Sequence, residues 1–151
     1  MIRCIDIALV IPDNEARTAF ATLRRLGVGA AALERADLYR FDVDDDAADD
    51  LVARVRALET IYNPNKHILH VRAAGVPEAG EVWVGDLAVP ADGNAGAIRI
   101  GGRVVPGVRG FERYTSWRIY GAPAILASSE LIDAATETLL CNPAFQKALR
   151  A

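Results

Sequence analysis

The sequence predicts an α/β (α+β, two-layer) protein made of two related halves, small antiparallel or mixed sheets packed with helices and arranged about a pseudo-two-fold repeat. Three observations carry this. Period-2 apolar runs alternate with helical stripes through the first half. A Gly/Pro-rich break falls at the middle. Short motifs then recur in order at a nearly constant offset.

Residues 3–11 place Ile5, Ile7, Leu9 and Ile11 on one face and predict a strand that Pro12 ends. Asp13 or Asn14 can cap the helix that follows, because a short side-chain oxygen satisfies the free amides of a first helical turn. Ala16, Ala19, Phe20, Leu23 and Leu26 form its apolar stripe, and Gly27 suits a left-handed end. Residues 33–43 alternate from Tyr39 to Val43 and predict a second strand. A second helix is expected from Asp49 to Tyr62, stopped by Pro64, and a third strand from Ile68 to Val71. Residues 73–80 resemble a linker. Beyond it, a strand over 81–89, a hairpin turning at Gly101-Gly102, a strand over 111–120 and a helix from Ser128 to Cys141 are expected. The halves are therefore taken as 1–74 and 81–151, with 75–80 between them. In the second half the hairpin region replaces the first helix.

The repeat rests on three matches. Glu34-Arg35 answers to Glu112-Arg113 and Tyr39-Arg40-Phe41 to Trp117-Arg118-Ile119, each at an offset of 78. Asn63-Pro64 answers to Asn142-Pro143 at 79. A duplication of this kind lets two half-domains cover each other's bare sheet edges within one chain.

Composition narrows the function. Of 151 residues, 17 are basic and 20 acidic, giving a net charge of -3 without a lysine-rich tract. Nucleic-acid binding through phosphate neutralisation needs a clustered basic face and is disfavoured. No apolar run is long enough to span a membrane, Met1-Ile-Arg-Cys-Ile-Asp6 does not read as a signal peptide, and a cytoplasmic protein is expected. Cys4 and Cys141 lack the spacing of a metal or disulfide framework.

The first half resembles the PurS family, the small subunit of the multi-subunit formylglycinamide ribonucleotide amidotransferase. The resemblance lies in residues 13–27, from Asp13 to Gly27, in Leu38-Tyr-Arg-Phe-Asp-Val43, and in helices closing on Ile61-Tyr-Asn-Pro64 and Leu139-Leu-Cys-Asn-Pro143. It implies two PurS-like halves similar to a fused dimer, a non-catalytic assembly role in purine biosynthesis, and synthetase and glutaminase subunits as partners. Separately, the exposed edges of two small sheets lead us to expect self-association into a homo-oligomer. Ala36-Asp37 stands where the family has Gly-Lys. The alternative expectation is a module that senses or binds an anionic metabolite between the halves.

No catalytic group, cofactor or metal is predicted. The run Asp42, Asp44, Asp45, Asp46, Asp49 and Asp50 fits the start of a calcium loop, but Ala47 and Ala53 stand where glycine and a bidentate glutamate are needed. Acids before a helix are explained by its positive end. His67 and His70 point to opposite faces of a strand and cannot share a metal. Ser128 and Ser129 suit helix caps. The candidate binding residues are Arg35, Arg40, Arg113 and Arg118, two repeat-related pairs able to clamp a carboxylate or other anion, with Lys66 and His67 beside Asn65. The plainer expectation for the arginines is solvated strand faces with ion pairs to acids such as Glu34 or Glu112.

Overall fold

The structure, a computed structural model, describes residues 1–87, 93–94, 97–100 and 102–151. In chain order the first half contains β1 (Ile2–Leu9), α1 (Asn14–Arg25), β2 (Ala32–Val43), α2 (Leu51–Arg56) and β3 (His67–Arg72). The second contains β4 (Glu81–Asp86), β5 (Gly93–Asn94), β6 (Ala97–Ile100), β7 (Arg103–Val105), β8 (Val108–Ala122) and β9 (Ile125–Leu126). It continues with α3 (Ser129–Ala135), a π-helical turn (Thr136–Leu140) and β10 (Gln146–Arg150).

The two halves share one sheet. Its order is β10-β4-β8-β2-β1-β3, with β9 against β8, and the described neighbours run antiparallel. The β2–β8 seam joins the halves. Across it Glu34 faces Arg118 and Arg40 faces Glu112, while Arg35 faces Trp117 and Tyr39 faces Arg113. Each of these pairs is the image of the other under an offset of 78. Asp37 and Thr115 face each other at that same offset, which puts the pseudo-two-fold axis on them. Cys4 pairs with Arg40 as Glu81 pairs with Arg118, so β1 maps onto β4 at an offset of 77. Leu9 meets His67 as Asp86 meets Gln146, so β3 maps onto β10 at 79.

Alternation along the strands separates two faces. One carries every helix. Ile5, Ile7, Tyr39, Phe41 and Val43 pack there under Leu51, Val55 and Leu58 and under Ile100 and Val105 of the β6–β7 hairpin. Their counterparts Val82, Val84, Trp117 and Ile119 pack under Ala16 and Leu23 of α1 and Ile132 and Ala135 of α3. Thus α1 covers the second half while the hairpin, which stands in its place in the repeat, covers the first. The other face is crossed by the 73–80 connection, where Gly75 lies against Ile2, Cys4 and Arg40.

Local chemistry explains the ends of these elements. The Asp13 carboxylate accepts from the amides of Glu15 and Ala16, at 2.9 and 3.2 Å, and starts α1. Gly27 follows α1 at φ +85°, where a side chain is strained. Ser128 accepts from Leu131 N and starts α3. The two Asn-Pro turns are hydrogen-bonded alike. Asn63 and Asn142 side chains accept from Asn65 N and Ala144 N. Their own amides donate to His67 Nδ1 and Gln146 Oε1, both at 2.9 Å.

That equivalence gives a test. His67→Gln keeps an acceptor of the kind Gln146 already supplies and retains stability, whereas His67→Ala loses about 1 kcal/mol in urea denaturation. Equal losses in both variants contradict the assignment.

Besides the short strands β5 and β9, the structure departs from the sequence expectations in three described places. The second helix is six residues long and closes in turns, not a helix reaching Tyr62. The last helix relaxes into the π-helical turn over Thr136–Leu140. The second half ends in a strand, β10, where none was expected. Gln-Lys-Ala-Leu-Arg has no β-branched residue, so its extended form comes from pairing with β4. Residues 88–92 and Gly101, parts of the expected fourth strand and hairpin turn, lie outside the described residues.

Candidate functional site

β1 and β2 pair only as far as Ile7 and Asp37. Beyond that row β1 continues with β3 to Leu9 and His67, while β2 continues with β8 to Ala32 and Tyr120. The two strands therefore part, and Ala8 and Ala36, the next residues due to pair, face each other across a gap. A cleft of about 890 Å³ occupies it, with the first turns of α1 at one wall.

Its opposite wall is a buried ion cluster. Glu81, only 1% exposed, opens β4 and takes a bidentate pair of bonds from Arg72 at 2.5 and 2.8 Å. Glu81 also accepts from Arg118 at 2.7 Å, from the Glu78 amide at 3.0 Å and from Trp83 Nε1 at 3.4 Å. Arg72 also reaches Asp6 at 3.1 Å. Burial alone would raise the Glu81 carboxyl, but the Arg72 bonds, the Glu78 amide and Arg118 outweigh it and hold it below the usual range. Arg72 is held charged chiefly by its bonds to Glu81. This cluster fixes the strand ends and the linker around the cleft.

The sequence candidates fall into different places. Arg118 lines the cleft and is engaged by Glu81 and, at 3.3 Å, Glu78. Arg40 lies six rows away along the seam, about 20 Å, and binds Glu112 at 2.7 Å. The two therefore do not converge on one ligand. Arg35 also lines the cleft, beside Glu15 at 3.1 Å and Asp13 at 3.4 Å. Arg35 and Arg113 do converge, at 3.4 and 3.5 Å, on Asp37, so the carboxylate between that pair is the chain's own and sits on the pseudo-two-fold axis. Lys66 is exposed in the first Asn-Pro turn, and His67 is that turn's acceptor. Among the described residues, Asp42 and Asp44 meet Arg109, at 2.9 and 3.3 Å, and no group of three or more His, Cys, Asp or Glu could hold a metal ion.

Sequence reading missed Arg72, Glu81, Asp6, Ser116 and Arg17, all at the cleft, and weighed His70, which also lines it, only as a metal ligand. The usable signal was the repeat itself. Extended to the strands before the matched motifs, it sets Glu81 against Cys4 and Trp83 against Asp6, exchanges of polar for apolar at equivalent places.

No family model and no curated protein matches this sequence. Among the described residues no helix is long and apolar enough to cross a membrane.

Proposed function

We propose that the protein is a non-catalytic assembly subunit of the cytoplasm, built like a fused PurS dimer and bridging the synthetase and glutaminase subunits of formylglycinamide ribonucleotide amidotransferase. The observation that supports this reading best is the axis on Asp37 and Thr115, about which one sheet presents two related ends. A bridging subunit needs two related docking edges, and β3 and β10 supply them. Ile68 and Val71 of β3 and Leu149 of β10 are exposed there, which suits strand-edge contact with larger subunits or with further copies of the chain. Ala36-Asp37, the departure from the family, lies on the axis and not at these edges, so it leaves them free to dock.

The test is a tagged pull-down from native lysate with mass spectrometry, followed by co-purification. The expected result is recovery of both the synthetase and the glutaminase subunits, lost when Ile68 and Val71 are both changed to Lys. Recovery of neither subunit overturns the purine assignment.

The cleft favours a second reading, a small-molecule-binding module. A cleft of about 890 Å³ with convergent charged groups is of the size and chemistry that ligand sites have.

A further inference from the structure

Cys4, Leu38, Trp83 and Tyr114 bury together on the face that carries no helix. The repeat offsets of 77 and 78 give their counterparts as Glu81, Ser116, Asp6 and Ala36. All four counterparts line the cleft. The same place is thus filled with apolar side chains on one side of the axis and hollow on the other.

The difference is two aromatic rings. Tyr114 lies over Gly85 so closely that a Cβ at Gly85 would come within 2.7 Å of the ring. Trp83 packs against it with centroids 6.0 Å apart. In the cleft the corresponding residues are Ala36 over Ala8, with Asp6 in place of the indole.

The hollow is also equipped to hold polar groups. Ser116 is 5% exposed, and its hydroxyl has no hydrogen-bond partner among the described residues. The Arg72 side chain is 8% exposed, and its Nε is buried without a hydrogen bond. Nearer the mouth, the Arg17 and His70 side chains have no ion pair or hydrogen bond among the described residues, and Glu34 accepts only from the Tyr120 hydroxyl at 3.4 Å. Five carboxylates and four guanidinium groups line the cleft. A lone anion meets repulsion there as readily as attraction. A molecule carrying both charges does not.

We propose that the cleft binds a free aromatic α-amino acid. Its ring takes the place beside Ala36 and Ala8 that the Tyr114 ring holds over Gly85 in the other half, its ammonium group meets Glu34, and its carboxylate meets Arg17. The proposal rests on the small-molecule reading and is independent of the assembly reading.

The test is titration of the whole protein with L-phenylalanine, followed by amide resonances in NMR and by melting temperature. L-alanine, phenylacetate and inorganic phosphate serve as comparison probes. L-phenylalanine is expected to shift Ala36 and Ser116 saturably and to raise the melting temperature, since a ligand of the native state alone stabilises it. L-alanine and phosphate are expected to do neither, and phenylacetate to bind more weakly. Ala36→Tyr combined with Ala8→Gly rebuilds the Tyr114–Gly85 arrangement and abolishes binding. Glu34→Gln, at an exposed position that folds regardless, weakens L-phenylalanine about tenfold, the loss of one charge-assisted bond, and leaves phenylacetate unchanged.

Binding of L-phenylalanine unaffected by either change overturns the site. Equal responses to phosphate or L-alanine overturn the aromatic assignment while leaving a small-molecule site standing. No response to any probe overturns both.

Discussion

Replacing Arg72 with alanine is expected to cost about 3–5 kcal/mol, the range for removing one partner of a buried ion pair. The reason is what is left behind. Glu81 is 1% exposed and has traded water for two Arg72 bonds, one Arg118 bond and the Glu78 amide. Without Arg72, its carboxylate and that of Asp6 lose their shared cation where both are largely buried. Replacing Glu81 with Leu in the Arg72→Ala background recovers most of the loss, because the buried charge is then gone. Urea denaturation of the two single variants and the double variant checks this. Additive losses mean that the pair does not act as a unit.

The pH dependence has a defined sign. Glu81 has a folded-state pKa below its unfolded value, so the stability it contributes is fully present above the unfolded value and is lost as the pH falls through the folded one. In the Arg72→Ala variant burial is less opposed, and protonation relieves a cost where in the parent protein it removes a gain. The stability difference between the two therefore narrows as the solution is acidified from neutrality through the carboxylate range. A difference that stays constant contradicts the assignment of the lowered pKa to the Arg72 pair.

What could be read from the sequence and what could not divides along one physical line. Elements whose apolar residues face a single core were legible: α1, with its Asp13 cap and the buried Ala16 and Leu23 of its stripe, is one, and the alternation from Tyr39 to Val43 is another. Leu26, expected in the α1 stripe, is exposed beyond the helix end. The pairing of Arg40 with Glu112 could also be anticipated, because cross-seam neighbours follow from the 78-residue offset. β10 was illegible because its strand state is conferred by β4. The Arg72–Glu81 cluster was illegible for a related reason. Each residue reads as an ordinary charge beside a linker, and only the path of residues 73–80 over the sheet brings them together. That path also takes Arg118 away from Glu34, the partner the seam alone would give it, and hands it to Glu81. The cleft is the sum of these long-range effects, so no local pattern announced it.

Trp83→Ala is expected to destabilise the protein by about 3–5 kcal/mol, the range for deleting a buried aromatic side chain. Trp83 is fully buried between Tyr114, Cys4 and Leu38, and the Arg72 guanidinium stands 5.8 Å from its ring centroid. Its removal opens a hollow at the place where the first half already has one, but walled by Tyr114, Cys4 and Leu38 on the apolar side and by Arg72 and the Glu81 acceptor on the other. Indole has the shape of the lost ring and the N–H that bonded Glu81, so it suits that space. Indole added to the Trp83→Ala protein is therefore expected to restore part of the lost melting temperature, in proportion to its concentration, and to leave the parent protein unchanged. Asp6→Ala, at the counterpart position, removes a carboxylate from Arg72 and is not rescued by indole, because its surroundings are charged. Rescue of both variants, or of neither, means that the two places do not differ in polarity as the repeat requires, and that the apolar cluster and the cleft are not two versions of one site.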